Sequence, residues 1–138
     1  MPWILGAIAI SGTLGSFTDW LFMGRLFHDA YDRYPEVWRP GVREGRGRNA
    51  ILLSAVLGYL ISAAVVGLCL MADTSTIGAG LLVGLFAWCA GPLVVVIVNG
   101  LFIKIDRKIT FAHALGYLAR ILLAGAAGGW AVAHTRIA

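Results

Sequence analysis

The chain has 138 residues, 59% of them hydrophobic and 13% charged, with a mean hydropathy of +0.83. A soluble domain carries roughly twice that charged fraction, so the composition excludes an ordinary soluble enzyme and leaves one all-α integral membrane domain spanning residues 1–138. The net charge of +4 sits in two short segments beside apolar stretches, a pattern of membrane topology and anionic lipid headgroups, and no recognition motif accompanies it to suggest nucleic acid.

In chain order, uncharged stretches predict four transmembrane helices at about 2–24, 50–72, 78–103 and 113–133, interrupted only by Asp19 and Arg120. Short connections make an antiparallel bundle the expected arrangement. The first stretch lacks a basic leader and is longer than a signal-peptide core, so it reads as a retained helix. Link 25–49 begins as a helical continuation, because Phe27, Ala30, Tyr31 and Tyr34 recur at helical spacing before Pro35 and predict an interfacial aromatic face. Trp38 extends that belt, Arg39-Pro40-Gly41 turns the chain, and Gly45-Arg46-Gly47-Arg48 reads as open and cationic, suited to anionic headgroups. A kink is expected in the third helix, where Pro92 releases a carbonyl.

Links 25–49 and 104–112 hold nine Lys or Arg residues and the link between the second and third helices holds none. The positive-inside rule therefore predicts cytoplasmic links 25–49 and 104–112, with both termini outside. The two cysteines differ in depth, Cys69 near the outer end of its helix and Cys89 near the middle of the next, so no disulfide is expected and both read as packing residues.

Counted from the cytoplasmic boundary, Asp19, Asn99 and Arg120 all come out roughly 7 to 11 Å deep at 1.5 Å per residue, with Ser54 at about the same level. These predict a buried polar layer. Gly116, Arg120, Ala124 and Gly128 share one face, as do Gly12, Gly15 and Asp19, and Ser54, Gly58 and Ser62 form a small-residue stripe on the second helix. A lone charge in a span costs on the order of 2.5 to 3.5 kcal/mol, so Asp19 and Arg120 are expected to pair, with Asn99 filling remaining hydrogen bonds.

Three histidines are too few for a di-metal hydroxylase or desaturase, and no metal site is predicted. His28 and Asp32, four residues apart, form at most half a site. His28 and His113 near the same surface keep haem ligation as the remaining cofactor alternative. Neither a nucleophilic triad nor a phosphate-binding glycine loop is present.

The run Asp19-Trp20-Leu21-Phe22, continued by His28, Tyr31 and Trp38-Arg39-Pro40, resembles the opening of a family of small bacterial four-helix inner-membrane proteins of unknown function. Asn99-Gly100-Leu101-Phe102, Gly116-Tyr117 and Gly129-Trp130 are similar to that family's second half. The resemblance implies a bacterial inner-membrane location and weight on Asp19, Trp20, Asn99 and Tyr117, with no activity attached.

Four such helices pack around side chains instead of enclosing a water path. The expected function is a non-enzymatic subunit or assembly component of a membrane complex. Alternatives are a homo-oligomeric transporter of a small solute, ion or proton, or a membrane-embedded enzyme or cofactor-binding protein using His28, Asp32, His113 and the polar layer.

Overall fold

The structure, a computed structural model, describes residues 1–33, 35–37 and 47–136, apart from the side chains of Asp32 and Val37. The expectations for Tyr34, Trp38, the turn at Arg39-Pro40-Gly41 and most of the open cationic run lie outside the described residues. The described chain is helical throughout, with no strand among its elements.

Helix α1, Pro2–Asp19, starts with proline in its first turn, where an amide hydrogen is dispensable. It continues over Trp20–Leu26 with a wider π-type winding, the Phe27 N–H reaching the Phe22 carbonyl at 3.1 Å. Two short 3₁₀ turns follow, His28–Asp32 and Pro35–Val37. Phe27 and Tyr31, two residues of the expected interfacial aromatic face, are half-buried here. Phe27 packs edge-on against Phe111 with ring centroids 6.3 Å apart, and Tyr31 turns to His113, so these rings grip a neighbouring helix.

Helix α2, Arg48–Met71, ends in a turn where Asp73 takes a left-handed conformation, φ 53°. The Thr74 amide and hydroxyl both donate to the Cys69 carbonyl, at 3.0 and 3.1 Å, satisfying an end carbonyl. Thr76 then caps α3, Ile77–Trp88, its hydroxyl accepting from the Ala79 amide. Around Pro92 the helix widens over Cys89–Leu93 and resumes as α4, Val94–Phe102. Proline has no N–H for the ladder, which accounts for the break in regular winding.

Helix α5, Arg107–Thr135, begins six residues before the charge-based boundary at 113. Asp106 caps it, a carboxylate oxygen accepting from the Lys108 amide at 2.7 Å, so the helix starts at a cap while the sequence marked only where charges stop. Four helical paths, Pro2–Leu26, Arg48–Met71, Ile77–Phe102 and Arg107–Thr135, are thus long and apolar enough to cross a membrane.

The core gathers on α5, which α1, α2 and α3 all contact. Small residues set the spacing. A Cβ at Gly84 would stand 2.9 Å from the Ile121 carbonyl oxygen, and one at Gly128 would stand 2.9 Å from Cys69 Sγ. Gly80 and Gly125 meet backbone to backbone, so α3 and α5 approach as closely as helices do without side chains between them. Val66 and Cys69 are fully buried, whereas Cys89 is exposed, a correction to its expected packing role. Nothing on α4 is buried, and its Val94, Val95, Ile97 and Val98 are all exposed.

Side-chain contacts tie both ends. At one, Trp3 meets Trp130 edge-on at 5.4 Å, His134 stacks on Trp130 at 4.2 Å, and Arg136 pairs with Asp73. At the other, Arg33 pairs with Asp106 at 2.7 Å and Lys104 with Glu36 at 2.6 Å. The Lys108 amide and the Arg33 guanidinium hold the Asp106 carboxyl below the usual carboxylate range, and Lys104 does the same for Glu36.

Candidate functional site

Arg120 projects from the middle of α5 into the seam between α1 and α2. Two glycines make room for it: a Cβ on Gly15 would stand 2.8 Å from Arg120 Nε, and one on Gly58 would stand 2.6 Å from Cζ. The guanidinium is therefore seated on α1 from one side and on α2 from the other. Its Nη2 lies 2.7 Å from Asp19 Oδ2 and donates to Ser16 Oγ at 3.3 Å. The Arg120 side chain is 3% exposed and that of Asp19 26% exposed. Asp19 ends the regular part of α1, at the point where the winding widens, a local change that helices often show at functional positions.

Arg120 Nε and Asp19 Oδ1 are buried without a hydrogen-bond partner among the described residues, as is Ser62 Oγ one turn beyond Gly58. A single-point contact leaves half of each charged group unanswered, where a bidentate pair would answer both. Next to the pair, the Tyr59 ring covers Gly12 and its hydroxyl shares a hydrogen bond with Thr13 Oγ1 at 2.8 Å, a second polar link between α1 and α2.

The structure brings Asp19 and Arg120 together and leaves the other members of the expected layer outside. Asn99 is exposed on α4 and lines a different cavity. Ser54 is also exposed, its hydroxyl donating to the Ile51 carbonyl at 2.8 Å. Equal depth does not set the direction a side chain faces around its helix, and Ser54, on the same stripe as Gly58, lies beyond the reach of the seam. Trp20 stays 56% exposed and rests on Phe17, ring centroids 5.5 Å apart.

His113, Tyr117 and Asn99 share the second site, a cavity of about 510 Å³ between the Pro92 turn, α4 and α5. Tyr31 shares a 2.9 Å hydrogen bond with His113 Nε2, and burial pushes its hydroxyl up to about 12. His28 is exposed beside Tyr31, ring centroids 6.5 Å apart. Both histidines therefore stand next to Tyr31, and His113 Nε2, the usual axial nitrogen, is engaged by it. The Asp32 side chain lies outside the described residues. Among those described, no three His, Cys, Asp or Glu side chains are grouped to hold a metal ion.

Sequence reasoning missed Ser16 and the seating role of Gly58. Ser16 lies three residues before Asp19, hence on the same helix face, which is the signal that would have found it. Gly58 was legible as part of a small-residue stripe, but nothing in a sequence says which neighbouring side chain a glycine admits. What the cluster does chemically is hold an opposite-charge pair between three helices. Compared with protein-family models, curated proteins and solved structures, the chain matches none.

Proposed function

We propose that the protein is an integral membrane protein of the bacterial inner membrane, with its helices packed antiparallel, both termini outside and links 25–49 and 104–112 in the cytoplasm. Within the membrane it serves as a non-enzymatic subunit or assembly component of a larger complex. Four helices of spanning length and composition support the membrane part of the reading, and the basic residues of links 25–49 and 104–112 support the orientation through contact with anionic headgroups.

The observation that carries the subunit reading is the unequal burial of the helices. Helix α5 is packed on three sides, whereas only 6% of the most apolar window of Ile77–Phe102 is buried. That segment offers a continuous apolar face, broken at Pro92, to another membrane helix. The Arg120 side chain is 3% exposed and seated against Gly15 and Gly58, which weighs against conduction through one copy. One feature favours a transporter as the second reading: Asp19 keeps an unpartnered oxygen and partial exposure, as a carboxylate that exchanges a proton or ion would.

Native purification in mild detergent, with mass determination, tests the proposal. Stoichiometric co-purification of a different membrane subunit is expected. A homo-oligomer that moves protons or ions across vesicles, and loses that activity in Asp19→Asn, would replace it with the second reading. Orientation is checked separately by single cysteines, after replacing Cys69 and Cys89: Ser75 reacts with an impermeant thiol reagent from outside, and Gly45 does not.

A further inference from the structure

The cavity between the Pro92 turn, α4 and α5 plays no part in the proposed subunit role. Its volume, about 510 Å³, falls in the range of small-molecule sites. Val95 and Asn99, on its α4 wall, are exposed, so it opens toward the outside of the bundle instead of into the core. Among the described residues, no Asp, Glu, Lys or Arg lines it. Its walls are mostly aliphatic, with Ile109 buried behind them, and its polar groups are Asn99, Thr110, His113 and Tyr117.

Those polar groups are short of partners. Neither the Asn99 amide nor the Tyr117 hydroxyl has a hydrogen bond among the described residues, and His113 is fixed in place by Tyr31 through Nε2. Asn99 stands on α4, and His113 and Tyr117 stand one turn apart on α5, with rings 6.3 Å apart. Asn99 and Tyr117 belong to the spans Ile77–Phe102 and Arg107–Thr135, just inside the cytoplasmic edge on the proposed topology, and polar groups left unpaired in an apolar surrounding are costly. A ligand that fits must bring neutral hydrogen-bonding oxygen atoms on an apolar body. A phosphate or carboxylate head would find no Lys or Arg among the described lining residues.

We propose that this cavity binds a lipid-soluble molecule with a neutral carbonyl or hydroxyl head, such as a quinone or a glyceride, its oxygen atoms meeting Asn99 and Tyr117 and its tail leaving past Val95 into the lipid. Asn99 supplies both donor and acceptor, and the Tyr117 hydroxyl supplies either. Tyr31 acts on the site through His113, whose ring it orients. The proposal rests on the membrane reading, which carbonate extraction of membranes checks by itself: protein released by carbonate would overturn that reading, whatever the binding result.

The test uses the full chain in nanodiscs, decylubiquinone as probe, and quenching of tryptophan fluorescence; Trp88 belongs to the same packed cluster as Tyr117. Saturable quenching is expected, weakened about three- to tenfold by Asn99→Leu and by Tyr117→Phe, the scale of one lost hydrogen bond each. Gly91→Leu is the folding-safe variant, because a Cβ there meets nothing within 4 Å and Gly91 forms part of the cavity wall that the longer side chain would obstruct. It should abolish saturation and leave thermal stability intact. Ser54→Ala, outside the cavity, should bind as the parent does. Dioleoylglycerol, added as competitor, distinguishes the two sources: displacement at lower concentration than the quinone requires identifies a glyceride, and failure to displace identifies the quinone class. Quenching by decylubiquinone that is unsaturable, or equal in the parent and Gly91→Leu, together with no protection by dioleoylglycerol against thermal unfolding, overturns the proposal.

Discussion

Removing the carboxylate at Asp19 and the guanidinium at Arg120, singly and together, should show that the two are coupled and that their losses are unequal. In Asp19→Asn the guanidinium, 3% exposed, loses its counter-charge, keeps the 3.3 Å hydrogen bond to Ser16 and remains charged between two glycines. Breaking a buried pair from one side typically costs about 3 to 5 kcal/mol, and this variant belongs in that range. Arg120→Gln leaves a carboxylate that is 26% exposed and able to take up a proton, so its charge penalty is smaller. Shortening the side chain between Gly15 and Gly58 adds a packing loss, and a total of about 2 to 3 kcal/mol is expected. The double variant has no stranded charge and should lose much less than the sum, a coupling on the order of 2 kcal/mol. Reversible unfolding in mixed micelles with increasing dodecyl sulfate, followed by circular dichroism, measures all four corners of the cycle. Additive losses, or a larger loss for Arg120→Gln than for Asp19→Asn, would refute the reasoning.

Gly58→Ala should destabilise the parent by about 1 to 3 kcal/mol, since its methyl meets the guanidinium carbon, and should be nearly neutral in the Arg120→Gln background, as the same unfolding assay would reveal. Gly125→Ala forces α3 from α5 against the Gly80 backbone and should cost more than Gly67→Ala, whose Cβ meets nothing within 4 Å and which should gain up to about 1 kcal/mol of helix propensity; thermal scans in detergent compare them. The Asp106 carboxyl is held below its ordinary value of 3.8, chiefly by the Lys108 amide and then by Arg33. Its contribution is therefore complete above that ordinary value and is lost as pH falls through the lower folded value, so amide exchange over the first turn of α5 should rise on acidification, and Asp106→Asn should remove that dependence. The Tyr31 hydroxyl, pushed up from 10.0 to about 12 by burial, stabilises fully below pH 10 and loses that contribution as pH rises through the folded value; alkaline unfolding should lose this component in Tyr31→Phe.

The hydrophobic pattern alone determined that the chain makes four long apolar helices, because a run of some 20 uncharged residues is suited to lipid, and in lipid the backbone must satisfy its own polar groups, as a helix does. It also determined that Asp19 and Arg120 are a pair, since two charges of opposite sign at similar depth have few other ways to be accommodated. Where charge and helix diverge, composition misled: α5 starts at the Asp106 cap, inside a basic stretch, because a cap obeys local geometry and a hydropathy boundary does not. Only the tertiary structure decided which residues share a site. Asn99 and Ser54, expected at the depth of the pair, are exposed elsewhere, and Ser16 and Gly58 surround the guanidinium because the seam between α1 and α2 passes there. The cavity that groups Asn99 with His113 and Tyr117 depends on the wider winding at Pro92 and on the loose seating of α4. Packing sets the rotation of a helix about its own axis, and that rotation, which depth along the chain does not encode, fixed the membership of both sites.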